Sequence, residues 1–490
     1  MPTPTPTLRP VSLPVLQAHG LSVWSAAHCL MPPIDLALQA GEALCVIGES
    51  GAGKSLLLQA IMGLLPEGLR AEGNLLIQGQ ASSAADARGR RAQWGRQLSL
   101  LPQEPTRALD ALRSVHQQLD AVHRWVAQLP ASTRPSHNLD ALKRARLTDA
   151  CSLRPWQLSG GMAQRAATQL ALAGGASLLL ADEPSKGLDP EGIQALIVQL
   201  KALMDRGGSV VVVTHDLRLA QALPGQTMVM RHGQVVEHGA TEQVLTQPRQ
   251  AFTRQWLDAA PSRWPRPQPP AQAVQASGSA TVLRAENLVI TRGHRILRQG
   301  LNLQWRTGDR HVIQGPSGCG KSTLGDTLLG LLPPHRGRVL RATGLAPTAF
   351  QKLYQDPVQS FAPHQRLKHH LQEVARRHGT PWPQVLQWLD DCGVAEPMLD
   401  RPATQVSGGE LQRVAVVRAL CARPVFLFAD EPTSRLDPVT QQSTCEMLHK
   451  ALAPEGTATL WVTHDADLAH ALSPSPLQWR LGAEASSVSQ

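Results

Sequence analysis

The chain has 490 residues, 42% of them hydrophobic, and a formal net charge of +9 in which arginine far outnumbers lysine. This length allows roughly two to four domains with cores of their own, and the composition excludes a disordered chain. The basic balance reads as arginine-rich solvated faces, with an anionic membrane surface or nucleic acid as the alternative; no basic run interleaved with aromatics singles out nucleic acid.

The start, MPTPTPTLRP, lacks the charged beginning and apolar centre of a signal peptide and is expected to be a disordered tail over residues 1–10. No apolar run approaches the length of a membrane span. Phe and Tyr are scarce, so the cores are expected to be mostly Leu, Ala and Val. Cys29, Cys45, Cys151, Cys319, Cys392, Cys421 and Cys445 are scattered without a C-x-x-C pair. That pattern fits a reduced, intracellular protein without a zinc or iron–sulfur framework.

The chain is organised around G-x-x-x-x-G-K-[ST], which occurs at Gly48–Ser55 (GESGAGKS) and again at Gly315–Ser322 (GPSGCGKS). A β-like run precedes each copy, Ala43–Ile47 and His311–Ile313, and a helical run follows, Leu56–Leu65 and Thr323–Leu332. Strand, glycine loop and helix start together form a phosphate cradle, because bare N–H groups and the positive helix end meet the anion. The expected contacts are Gly48, Ser50, Gly51, Gly53, Lys54, Ser55 and Leu56 in the first copy. In the second they are Gly315, Ser317, Gly318, Gly320, Lys321, Ser322 and Thr323. Lys54 and Lys321 would reach the β- and γ-phosphates, and the Ser55 and Ser322 hydroxyls would ligate Mg²⁺. Cys319 lies within the second loop and reads as a small filler residue rather than a reactive thiol.

Five landmarks recur in one order, so the chain is an internal repeat. Lys54 and Lys321 are 267 positions apart, Gln103 and Gln355 are 252, and Glu183 and Glu431 are 248. Ser159 and Ser407, and His215 and His464, complete the set. The second half is shorter before its glutamine; the extra piece of the first half, near Gln80–Gly95, reads as a surface loop or hairpin. The expected organisation is a first domain at 11–258, a proline-rich linker at 259–281, a second domain at 282–482 and a tail at 483–490. The linker is long enough, at about 3 Å per residue, for the two halves to pair with each other.

Short apolar runs at Leu178–Ala181, Val210–Val213, Val425–Ala429 and Thr459–Val462 read as buried parallel strands. Segments near Asp110–Trp156 and His364–Thr404 read as helical insertions. The predicted class is α/β: tandem P-loop NTPase domains, each with an inserted helical subdomain. Asp182 and Asp430 close strands and are placed to hold Mg²⁺ through water; Glu183 and Glu431 follow and are placed to polarise an attacking water. Ser159, Gly160, Gly161 and Ser407, Gly408, Gly409 put Ser-Gly-Gly at a helix start, a second anion-binding end in each half.

Phosphate loop, glutamine, Ser-Gly-Gly, Asp-Glu, Leu-Asp and histidine in this order resemble the ATP-binding subunits of ABC transporters, over nearly the whole chain and twice. The resemblance implies tandem ABC ATPase domains with two competent ATP sites, each shared between the halves. One joins Lys54, Ser55, Gln103, Asp182, Glu183 and His215 to Ser407, Gly408 and Gly409. The other joins Lys321, Ser322, Gln355, Asp430, Glu431 and His464 to Ser159, Gly160 and Gly161. It implies that His215 and His464 contact the γ-phosphate and that Gln103 and Gln355 touch Mg²⁺ or water and signal to a permease. It also implies that Asp189 and Asp437 communicate across the interface. Trp24 is the candidate for stacking on adenine, and Arg292 stands near the corresponding place in the second half. Lys186, Gly187 and Arg435 are less usual in their loops, and the second half ends sooner after its histidine.

Gly63–Gly79, QDPVQSF and Val236–Pro261 resemble the oligopeptide, dipeptide and nickel importer branch. That branch implies membrane permease subunits and a solute-binding protein as partners, and a place on the cytoplasmic face of the inner membrane. No cysteine lies between Cys151 and Cys319, so the branch's cysteine-rich cluster tail is not expected. His364, His369, His370 and His378 read as solvent- or permease-facing rather than as a metal site. A ribosome-associated tandem ABC ATPase and the fused ATPase of a vitamin-type energy-coupling importer are the alternatives. The short proline-rich linker argues against the first, and the GLLP and TRQWLDAAP segments against the second.

Overall fold

The computed structural model describes residues 14–188, 190–267, 280–293, 295–315, 318–434, 436–473 and 476–478. Both tails expected from the sequence, and most of the linker, lie outside these residues. The chain divides into two compact units, Met1–Arg254 and Gln255–Gln490.

The first unit carries strands β1 (Leu16–Ser25), β2 (His28–Leu38), β3 (Ala43–Gly48), β4 (Leu69–Ile77), β5 (Gln80–Ser83), β6 (Leu98–Leu101), β7 (Leu178–Asp182), β8 (Ser209–Val213), β9 (Gly225–Arg231) and β10 (Gln234–Ala240). They form an antiparallel sheet of order β2-β1-β4-β5 and a mainly parallel sheet of order β10-β9-β3-β8-β7-β6. Every residue of β3 and β8 is buried, as the continuous apolar runs require of strands covered on both faces. The core between the sheets and the helix Lys54–Met62 is built from Leu, Val, Ile, Ala and Met alone. The stretch read as a surface loop or hairpin near Gln80–Gly95 begins as a hairpin: β5 pairs antiparallel with β4 and extends the sheet, and a short helix, Ala87–Arg91, follows. Its Arg90 is fully buried and donates to the carbonyls of Ser83 and Ala84, which repays its loss of water.

The second unit repeats the plan with β11 (Thr281–Arg292), β12 (Arg295–Arg306), β13 (Arg310–Gln314), β14 (Arg336–Arg341), β15 (Phe350–Leu353), β16 (Phe426–Asp430), β17 (Ala458–Thr463) and β18 (Leu477–Gln478). The orders are β12-β11-β14 and β15-β16-β17-β13-β18, the second parallel throughout. Its core differs in chemistry. Trp305, Phe350, Phe426 and Phe428 join the aliphatic residues, so most of the few phenylalanines are gathered here. Of the segment read as linker, residues 259–267 and 280–281 are described, and Trp264 packs against the core of the second unit.

The helical insertions form as expected, at Val115–Trp125 and Arg134–Ala145 in the first unit and Leu367–His378 and Trp382–Asp391 in the second. Each packs beside a longer helix that Ser159 or Ser407 caps, Gly160–Ala173 and Gly408–Cys421. In each parallel sheet one strand, β8 or β17, separates the phosphate-loop strand from the acidic strand. The carboxyl ends of all three therefore open on one edge, where ligands of open α/β sheets bind.

Candidate functional site

In the first unit, β3 leads into a loop held by three left-handed glycines, Gly48 (φ 143), Gly51 (φ 79) and Gly53 (φ 90). A Cβ on Gly48 would stand 2.0 Å from the Met230 carbonyl oxygen of β9, so only glycine lets the strand pass. Gly53 caps the helix Lys54–Met62. Lys54 Nζ donates to the carbonyls of Gly48 (2.8 Å) and Glu49 (2.6 Å), folding the ammonium back into the loop. Ser50 and Gly51 lie exposed on the rim, and Ser55 and Leu56 half-buried in the first turn.

Asp182 ends β7 with its Oδ1 buried and without a hydrogen-bond partner. Burial raises its pKa, and a hydrogen bond from the Ser55 hydroxyl opposes that rise. Glu183 follows in a left-handed conformation (φ 49), a strained geometry for a side-chain-bearing residue. His215 Nδ1 lies 2.8 Å from its carboxylate, and the His215 backbone N–H donates to the same group at 3.4 Å. Burial alone would raise the pKa of Glu183; the charge and hydrogen bond of His215 outweigh it and hold the carboxyl below its ordinary range. His215 is shifted up: burial opposes, and the Glu183 carboxylate prevails. The buried Gln164 side chain of the helix Gly160–Ala173 donates to the Pro184 carbonyl at 2.9 Å, tying that helix to the acidic loop.

The second unit reproduces this edge. Gly318 (φ 79) and Gly320 (φ 98) turn the loop, and Lys321 Nζ donates to the Gly315 carbonyl at 2.8 Å. Ser322 bonds Asp430, which ends β16 buried, and burial raises that aspartate's pKa. Thr323, the next residue of the helix, is half-buried. Glu431 again has φ 49, and its carboxylate meets His464 Nδ1 at 2.9 Å. The same balance, burial against the histidine, lowers the glutamate and raises the histidine.

The glutamines differ. Gln355 Nε2 donates to Glu431 at 2.8 Å, whereas Gln103 is exposed just beyond β6. Ser159 Oγ accepts from the Met162 N–H, and Ser407 Oγ accepts from the Glu410 N–H, each at 3.3 Å. Only the second serine forms a full capping box, because its third helical residue is Glu410 and not Met162. Gly160, Gly161, Gly408 and Gly409 make the bare first turns. Asp437 caps the helix Pro438–Leu452 by accepting from the Thr440 N–H at 3.1 Å. Ser317, Asp189 and Arg435 lie outside the described residues.

By strand register, Thr291 is the second-half counterpart of Trp24, and Arg292 stands one residue past it. Gly20 (φ 60) faces Gly73, as Asn287 (φ 47) faces Gly337, and Trp24 and Thr291 each stand four residues after that bend. Arg70 stacks over the Trp24 ring at 5.6 Å. The histidines of the second insertion gather no group of three or more metal-binding side chains among the described residues. His370 is engaged locally: its Nε2 accepts from the Ala362 N–H at 2.8 Å and its ring meets Phe361 edge-on.

The model of the ABC transporter family matches residues 31–186 and 298–434. The chain belongs to that family and is an ATPase with two such domains. It is 28% identical to the peptidoglycan transport ATP-binding protein YejF of Agrobacterium fabrum, over 96% of this chain and 91% of the relative. It is 30% identical to the glutathione import ATP-binding protein GsiA of Escherichia coli O6:H1, over 90% and 80% respectively. Among solved structures it resembles an RNase-L inhibitor, with TM-score 0.61 and 20% identity, over 90% of this chain and 84% of that one. This last likeness is one of fold.

Proposed function

We propose that the chain is the fused ATP-hydrolysing subunit of an ABC importer, taking up peptide-like solutes. The observation that carries this is the presence of a phosphate-loop edge in each unit, each with a glutamate held ionised by a histidine, in a chain similar over nearly its full length to transport and import ATP-binding proteins. Peptidoglycan and glutathione in the relatives' names favour peptide-like solutes over nickel or a metal chelate.

In this reading ATP lies on each phosphate loop and the other half closes over it. Site one sets Lys54, Ser55, Gln103, Asp182, Glu183 and His215 against Ser407, Gly408 and Gly409. Site two sets Lys321, Ser322, Gln355, Asp430, Glu431 and His464 against Ser159, Gly160 and Gly161. Lys54 and Lys321 neutralise the β- and γ-phosphates, and the glycine loops supply N–H groups that need no rearrangement. Glu183 and Glu431 orient and polarise the attacking water. Each histidine holds its glutamate in place and then meets the γ-phosphate.

Mg²⁺ fits the donors present. The partnerless buried Oδ1 of Asp182 and the neighbouring Ser55 hydroxyl are hard oxygens of the kind it prefers, and Asp430 with Ser322 supplies a buried carboxylate and a hydroxyl in the second unit. When bound, the ion would neutralise charge on the β- and γ-phosphate oxygens.

Among the described residues no helix is long and apolar enough to cross a membrane. We therefore assign membrane attachment to permease subunits at the cytoplasmic face of the inner membrane, with a solute-binding protein in the same system. Gentle extraction of native membranes with the tagged chain tests this. Recovery of two multi-spanning permeases supports the importer reading. Recovery of ribosomes instead overturns it and leaves the ATPase assignment standing.

A further inference from the structure

The two acidic edges are not equivalent, and the difference lies in Lys352 and Asp326. Lys352 sits on β15 with its side chain only 9% exposed. Its Nζ lies 2.6 Å from Asp326 Oδ1 and 4.0 Å from Asp430 Oδ2. The Tyr354 and Phe428 rings flank the same ammonium at 4.7 and 5.6 Å. Gly325 makes this packing feasible: a Cβ there would stand 2.0 Å from the Phe428 ring.

The first half has no counterpart of the Lys352–Asp326 pair. Strand register pairs Lys352 with Phe428 and, in the other unit, Leu100 with Leu180. Counting from the phosphate-loop lysines equates Asp326 with Gln59 and Gly325 with Leu58. A caged lysine and aspartate thus replace an uncharged pair. Asp182 feels the charges of Lys54 and Lys186 but keeps a buried oxygen without a hydrogen-bond partner, whereas Asp430 faces a buried lysine within 4.0 Å that Asp326 anchors.

We propose that Lys352 is an internal counter-ion that competes with the divalent cation for Asp430, so that the second ATP site requires more free Mg²⁺ than the first. This rests on the reading that Asp182 and Asp430 serve Mg²⁺. A cation 4 Å from the carboxylate, away from bulk water, repels a divalent ion approaching the same group. Asp326 offsets part of that charge and fixes the ammonium in place, but the group facing Asp430 Oδ2 is the cation. Lys352 is a positioning residue, acting through Asp430.

The test uses the full chain carrying Glu183→Gln and Glu431→Gln, so that ATP is held and not turned over. Lys321→Ala leaves the first site to report; Lys54→Ala leaves the second. Equilibrium binding of radiolabelled ATP is measured against free Mg²⁺. The second-site reporter is expected to need roughly five- to tenfold more Mg²⁺ for half-maximal binding. Lys352→Met with Asp326→Gln should remove the difference. Leu100→Lys with Gln59→Asp should create the higher requirement in the first site. Equal midpoints in the two reporters overturn the proposal without any change at Lys352, as does a difference that survives the paired substitution. Absence of ATP binding in both reporters, with the fold intact by circular dichroism, overturns the nucleotide-site reading and this inference together.

Discussion

His215 Nδ1 stands 2.8 Å from the Glu183 carboxylate, and the second half repeats the contact between His464 and Glu431 at 2.9 Å. Both glutamates are buried and both have φ 49. The strain serves a purpose. An extended residue after a buried strand would direct the carboxylate away from the neighbouring strand end, where the histidine lies. The repeated conformation keeps the acid on the open edge, beside the phosphate loop.

Removing the negative charge while keeping the shape should separate binding from turnover. Glu183→Gln with Glu431→Gln should bind ATP with near-normal affinity and lose steady-state hydrolysis by about 100-fold or more, the range expected when a positioned base is lost. Phosphate release measured beside equilibrium ATP binding checks this. Full hydrolysis in the double variant would remove the roles assigned to these residues.

The ion pair also predicts a pH dependence of stability. Each glutamate is shifted down, so its contribution is present above the ordinary carboxylate value of about 4.3 and is lost as pH falls through the lowered value. Each histidine is shifted up, so its contribution is present below the ordinary value of about 6.5 and is lost as pH rises through the raised value. Melting temperature should therefore fall on the alkaline side of about pH 6.5 by roughly 2–4 °C more in the native chain than in His215→Gln with His464→Gln. Thermal melts of both chains across this range decide it; parallel curves would mean the pair contributes nothing to the fold.

What the sequence disclosed, and what it concealed, follows from chain distance. Gly48–Ser55 and Gly315–Ser322 are local patterns, so the loop, its strand and its helix could be read directly, as could Ser159 and Ser407 at helix starts. The buried strands were legible because Val210–Val213 and Thr459–Val462 are continuous apolar runs. The antiparallel sheets were not read, because β1 and β4 meet through register shifts and a bend at Gly20 that leave no clean alternation. Lys352 gave no signal either. Asp326 and Asp430 lie 26 and 78 positions away; the parallel pairing of β15 with β16 brings Asp430 near it, and the helix Lys321–Leu328 supplies Asp326. Arg292 was read as near the counterpart of Trp24, and the strand register puts Thr291 there with Arg292 beside it.

The lysine of each phosphate loop is bonded to loop carbonyls, Lys54 to Gly48 and Glu49 and Lys321 to Gly315. These contacts hold the ammonium where phosphate oxygens would take over its hydrogen bonds. Lys54→Ala with Lys321→Ala should weaken ATP binding by roughly tenfold or more, since a charge-assisted bond is worth about 1.5–3 kcal/mol. Equilibrium titration is the measurement, and unchanged affinity with intact secondary structure would refute the cradle assignment.

Trp24 and Thr291 predict unequal grip on the nucleobase. Trp24 is half-buried, its Nε1 donates to Ser22 Oγ at 3.1 Å, and Arg70 stacks over the ring. Arg70 is itself fixed by a bond to the Ala26 carbonyl at 2.6 Å and by Glu72 at 3.0 Å. An indole held this rigidly offers a stacking surface with little entropy left to lose. Thr291 offers none. In chains with one working phosphate loop, Trp24→Ala should lower ATP affinity at the first site by about tenfold, the scale of one base–aromatic stack. Thr291→Trp should raise affinity at the second site, and Thr291→Ala should leave it nearly unchanged. Fluorescent-nucleotide titration of the three variants, each against its parent with one working phosphate loop, measures these differences. A Trp24→Ala chain that keeps full affinity would show that adenine does not rest on this ring.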